Sequence, residues 1–81
     1  MTKNALLKLG FIDRSENILC YIIKESNDFS IYIYADSSFE NNEGVYLTLS
    51  SIQKVISTNL PNIKTVSQLK TFIKLLSNDN N

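Results

Sequence analysis

Apolar and polar positions alternate with different periods along this chain, and each period predicts a different backbone. Near the start, Leu6 and Leu9 lie three apart on a segment that Thr2 can cap and Gly10 can close, which predicts a short helix. Phe11 follows directly and is placed to pack back on that helix, and Asp13-Arg14-Ser15 reads as a polar turn. Two strands are expected next, over about Asn17 to Lys24 and Phe29 to Ala35, joined by Glu25-Ser26-Asn27-Asp28. A symmetric hairpin there sets Ile22 opposite Ile31, Cys20 opposite Ile33, Tyr21 opposite Tyr32 and Leu19 opposite Tyr34. Directly opposed residues share a face, so this register keeps the tyrosines apart from the aliphatic row.

Asp36 to Gly44 is polar and holds the turn signal Asn41-Asn42-Glu43-Gly44, with Phe39 expected to tuck against the sheet edge. A third strand over about Val45 to Ser50 pairs Ala35 with Val45, Ile33 with Leu47 and Tyr34 with Tyr46. The period then changes. Ile52, Val55 and Ile56 recur at three and four, so Ser51 reads as an N-cap and the segment to Thr58 as a two-turn helix. A fourth strand is the competing reading, because Val55, Ile56 and Thr58 are β-branched. Beyond Pro61, Thr65-Val66-Ser67-Gln68 matches a capping box that opens a final helix to about Ser77. Leu69, Phe72, Ile73 and Leu76 form its apolar stripe, Lys70 and Lys74 face water, and Asn78 to Asn81 should fray.

The expected fold is therefore α+β, one domain over residues 1–77. A short N-terminal helix precedes a three-stranded antiparallel β-meander, and two C-terminal helices pack on one sheet face. The core face should comprise Ile18, Cys20, Ile22, Phe29, Ile31, Ile33, Val45, Leu47 and Leu49. Tyr21, Tyr32, Tyr34 and Tyr46 are out of step with those rows, which gathers all four tyrosines on the opposite face with Leu19 and Ile23. Tyrosine joins a large apolar area to a polar tip and is enriched at binding hot spots. That face is the candidate protein-binding surface, with Glu40 and Glu43 on the adjoining loop as rim charges. The plainer alternative is that aromatic cross-strand pairs only stabilise a half-exposed sheet.

Length and charge narrow the classes. A chain of 81 residues buries only roughly 60% of its unfolded surface, so a partner or self-association is a reasonable source of added stability. Eight basic and eight acidic residues balance, but acids dominate from Asp13 to Glu43 and lysines from Ser51 onward. That asymmetry reads as ordinary solvated loops and an ordinary helix face, or as an acidic pole for a basic partner. The strands supply only Lys24 beside the aromatics, which argues against nucleic acid stacking on them. No segment is long enough to span a membrane, and one cysteine in an apolar strand fits a reducing compartment, so a cytoplasmic location is expected.

Catalytic chemistry has little material. The chain lacks histidine and a glycine-rich phosphate loop, and one thiol cannot organise a zinc site. Asp36, Glu40 and Glu43 have neither the spacing nor the glycine of a calcium loop. Cys20, between Leu19 and Tyr21, reads as buried filler rather than a nucleophile. A non-enzymatic protein without cofactor or metal is expected.

Leu9-Gly10-Phe11 closing a short helix, aromatic-rich strands, and Lys64-Thr65-Val66-Ser67-Gln68-Leu69 opening the last helix resemble a group of small uncharacterised proteins of bacterial phages and mobile elements. The resemblance implies an accessory protein that binds a host protein, for instance to block an antiviral defence. Alternatives are a homo-oligomeric structural protein that uses the tyrosine face on itself and, behind both, a nucleic-acid binder.

Overall fold

A computed structural model describes residues 1–15, 18–36 and 44–77. The order of elements is helix α1 (Lys3–Leu9), strands β1 (Ile12–Ser15), β2 (Ile18–Glu25), β3 (Phe29–Ala35), β4 (Val45–Ser51) and β5 (Val55–Asn59), and helix α2 (Val66–Ser77). The strands form one antiparallel sheet in the order β1-β2-β3-β4-β5, so every strand pairs with its neighbour in sequence. The α+β class stands, but the expected three strands and two C-terminal helices do not.

Both helices are delimited as their termini suggested. Thr2 Oγ1 accepts the Ala5 N–H at 3.1 Å, and at the other end the Gly10 and Phe11 amides donate to Leu7 and Leu6 carbonyls. Gly10 has φ 121°, a backbone that side-chain-bearing residues rarely adopt, and a Cβ there would lie 2.9 Å from Tyr21 Cε2. The capping box of α2 is complete: Gln68 N–H donates to Thr65 Oγ1 at 3.1 Å, while Gln68 Oε1 accepts from the Lys64 and Thr65 amides. Leu69 and Ile73 of its stripe are buried, and Phe72 and Leu76 are half-buried.

Two segments expected elsewhere are strands. Asp13-Arg14-Ser15 lies in β1, paired with β2 across an irregularity between Asp13 and Ser15. Residues 55–59 form β5 rather than a helix, because Ser51 closes a tight turn instead of capping a helix. Its N–H donates to the Lys54 carbonyl at 2.8 Å, and its hydroxyl accepts the Lys54 N–H at 3.2 Å. With the chain reversed at Ile52-Gln53, the β-branched Val55, Ile56 and Thr58 run alongside β4.

The β3–β4 register is the one read from alternation, with Ala35 on Val45, Ile33 on Leu47 and Tyr34 on Tyr46. The β2–β3 register is not. The turn is centred one residue later than a symmetric connection over residues 25–28, with the Ser26 N–H donating to the Phe29 carbonyl at 2.8 Å. Ser26 Oγ also accepts the Asp28 and Phe29 amides. That slip alone would preserve the faces, since Lys24 opposite Ile31 projects to Tyr21 opposite Tyr34. A bulge between Ile22 and Lys24 then inserts Ile23, so Ile22 meets Tyr32, Tyr21 meets Ile33, Cys20 meets Tyr34 and Leu19 meets Ala35. One extra residue exchanges the two faces of β2.

The core is correspondingly different from the expected row. Leu6, Phe11, Leu19, Ile33, Ala35, Val45, Leu69 and Ile73 form its buried cluster, with Tyr21, Ile23 and Leu47 packed against it. Ile18, Cys20 and Ile22 stand on the opposite face. Phe29 and Leu49 lie on the helix side but are exposed, because α2 packs over β2 and leaves the far end of β3 and β4 uncovered.

Candidate functional site

The sheet face away from the helices carries Tyr32 and Tyr34 from β3, Tyr46 and Thr48 from β4, Ser57 from β5, and Cys20 and Ile22 from β2. Strict alternation in β3 and β4 places three phenols there, each half-buried. Tyr34 and Tyr46 are directly opposed, their ring centroids 5.8 Å apart and their planes inclined by 55°, a tilted aromatic pair. Thr48, buried beneath them, shares a 3.0 Å hydrogen bond between its hydroxyl and that of Ser57.

Tyr32 and Tyr34 form a ridge between two shallow grooves. One, of about 390 Å³, is bounded by Tyr32, Tyr34, Asp36, Tyr46, Thr48 and Ser57. The other, of about 260 Å³, lies toward β1 and β2, where Arg14 and Glu25 flank Cys20, Ile22 and the same two tyrosines. The first is rimmed by hydroxyls and one carboxylate. The second joins an aliphatic floor to one cation and one anion. Such a surface offers apolar area with hydrogen-bonding tips, and no concentration of positive charge.

Of the eight residues expected at this site, Tyr32, Tyr34 and Tyr46 are there. Leu19, Tyr21 and Ile23 are not: the bulge turns them toward the helices. Leu19 is fully buried, and Tyr21 packs against Phe11 as a tilted pair with centroids 5.5 Å apart. Glu40 and Glu43 lie outside the described residues. Cys20 and Ile22, expected on the core face, belong to this face instead, opposite Tyr34 and Tyr32. Thr48 and Ser57 were missed because their alignment depends on β5, which the helical spacing of Ile52, Val55 and Ile56 concealed.

Cys20 is buried as expected, though beneath the tyrosine ridge rather than beneath the helices. Burial pushes its thiol pKa above the ordinary value of 9.0, and the nearby Arg14 guanidinium pulls the other way without reversing the shift. The thiol is therefore neutral at physiological pH, the opposite of an activated nucleophile. Among the described residues, no group of three or more His, Cys, Asp or Glu side chains is arranged to hold a metal ion. Among the described residues, no helix is long and apolar enough to cross a membrane.

Leu9-Gly10-Phe11 and Lys64 to Leu69 are a helix C-terminus and a capping box in this fold, remote from the tyrosine face. Comparison of the chain with protein-family models, curated proteins and solved structures found no match.

Proposed function

We propose that the face bearing Tyr32, Tyr34 and Tyr46 is a protein-binding surface and that the chain acts by binding rather than by catalysis. The observation that carries this reading is the adjacency of three half-buried phenols on the sheet face opposite the helices. Their rings add apolar area while their hydroxyls remain available, the combination that makes tyrosine effective at the centre of interfaces. Ile22 extends the apolar area on one side, and Thr48 and Ser57 supply hydroxyls on the other. Arg14 is balanced by Glu25 and Asp36 along the grooves, so a phosphate backbone gains little there.

The test is a paired measurement of stability and binding for Tyr34→Ser and Tyr46→Ser. Affinity capture from cell extract with the unmodified protein identifies the partner, and titration against that partner gives the affinities. Either substitution should weaken binding by about 2 kcal/mol or more while leaving the fold largely intact. Equal affinity for unmodified and both substituted proteins would exclude this face as the contact surface.

A further inference from the structure

Among the described residues the sheet ends at β1 and at β5, and these two edges are built differently. β1 is short, its ladder is broken between Asp13 and Ser15, and it carries Asp13 and Arg14, with Asp13 in a 2.8 Å ion pair to Lys3. Irregular pairing and charge are the usual means of keeping an edge from pairing with another chain. β5 has none of them. Val55-Ile56-Ser57-Thr58-Asn59 contains no charge and no proline, pairs with β4 without a register shift, and is exposed along its whole length.

The β4–β5 ladder also fixes which backbone groups face outward. The Ser51 N–H donates to the Lys54 carbonyl at one end, and the Leu60 N–H to the Val45 carbonyl at the other, both at 2.8 Å. Antiparallel ladders alternate hydrogen-bonded and non-bonded pairs, so Ile56 and Thr58 aim their backbone groups at β4. Val55, Ser57 and Asn59 therefore aim theirs away from the sheet, and among the described residues no strand lies beyond β5.

We propose that β5 pairs antiparallel with β5 of a second copy about a twofold axis at Ser57, joining two five-stranded sheets into one. A strand paired with itself in this way is isologous and closes as a dimer. The axis sets Ser57 opposite Ser57 and Val55 opposite Asn59, so every outward-facing residue exchanges both its N–H and its carbonyl. Side chains agree with that register. Ile56 meets Thr58 of the second copy on the helix side, and no like charges are opposed, because β5 has none. The corner that would be joined also holds unusual apolar exposure, with Val55 at 62%, Ile56 at 45% and Leu49 at 44%. The axis is normal to the sheet, so the helices of both copies lie on one side and both sets of tyrosines on the other. Pairing stands independently of what the tyrosine face binds.

Size-exclusion chromatography with light scattering over a dilution series should show a dimer that dissociates on dilution. Amide hydrogen exchange localises it: Val55, Ser57 and Asn59 should be protected in the dimer and lose protection on dilution, while Ile56 and Thr58 stay protected. Val55→Pro removes an outward N–H without touching the β4 ladder and should abolish the dimer with the far-UV circular dichroism retained. Ser57→Lys, which opposes like charges at the axis, should do the same, and Tyr34→Ser should leave the dimer intact. A monomer throughout the dilution series would overturn the proposal. So would a dimer in which the Val55, Ser57 and Asn59 amides exchange freely, or one lost with Tyr34→Ser but kept with Val55→Pro.

Discussion

The β1–β2 end of the sheet and the β4–β5 end are stabilised by different means. At the β1–β2 end the ladders are irregular, with register shifts on both sides of β2, yet Leu19 is completely buried under α2 and Tyr21 is wedged between Phe11 and Gly10. At the β4–β5 end the ladder is regular, but Leu49, Val55 and Ile56 remain exposed. Backbone regularity and side-chain burial are thus separate resources. The helices lie where β2 presents Leu19, Tyr21 and Ile23, and the bulge is what turns these three toward them. The β5 end has good backbone pairing to β4 and little to cover it.

The sharpest way to break this contrast is to delete one buried side chain at the covered end. Leu69→Ala, which removes the fully buried anchor of α2, should lower stability by about 2–5 kcal/mol in denaturant unfolding. Ile56→Ala at the open end should cost well under that in the dilute protein, since about half of its area is already in water. Equal losses would mean that β5 is covered in solution.

A second comparison opposes the faces of the sheet. Tyr21→Ser should cost about 1–3 kcal/mol, because it empties the site between Phe11 and Gly10, whereas Tyr34→Ser should cost less while impairing binding. The reverse order in thermal melts would restore the symmetric hairpin register. Gly10→Ala adds a left-handed backbone penalty to a clash with the same ring and should cost about 1–3 kcal/mol.

Thr65→Ala should cost about 1 kcal/mol by removing the cap of α2. The loss should appear as faster amide exchange at the start of that helix. Cys20 gives the smallest effect. Its raised pKa means that stability from this group is constant below the ordinary thiol range and declines as pH rises above it, because the unfolded thiol ionises first. Thiol-reagent labelling of the native protein should accordingly be slow at neutral pH. Rapid labelling there would show that the β2 end opens more readily than its burial implies.

What was legible in the sequence is what short-range chemistry controls. Thr2, Gly10, Thr65 and Gln68 mark helix ends because each satisfies, or permits, backbone geometry within a few residues of itself. The β3–β4 register was equally legible. Ile31-Tyr32-Ile33-Tyr34 alternates aliphatic with aromatic residues, and pairing Ala35 with Val45 sets both rows against their counterparts in β4. That is why the Tyr34–Tyr46 pair at the candidate site could be named from the residues alone.

Ile18-Leu19-Cys20-Tyr21-Ile22-Ile23 is apolar at every position, so alternation within it carries no information about which face is which. The bulge at Ile23 decided that, by matching β2 to a turn held by Ser26 and to the cover supplied by α1 and α2. Ile52, Val55 and Ile56 likewise satisfy a helical period by spacing, while the β-branched Val55, Ile56 and Thr58 suit a strand. The turn at Ser51 and the open side of β4 selected the strand. Local sequence determined the ends of the helices and the tyrosine pair. The tertiary structure decided the orientation of β2 and the choice of strand over helix for β5, because both depend on pairing with neighbouring strands that no local period specifies.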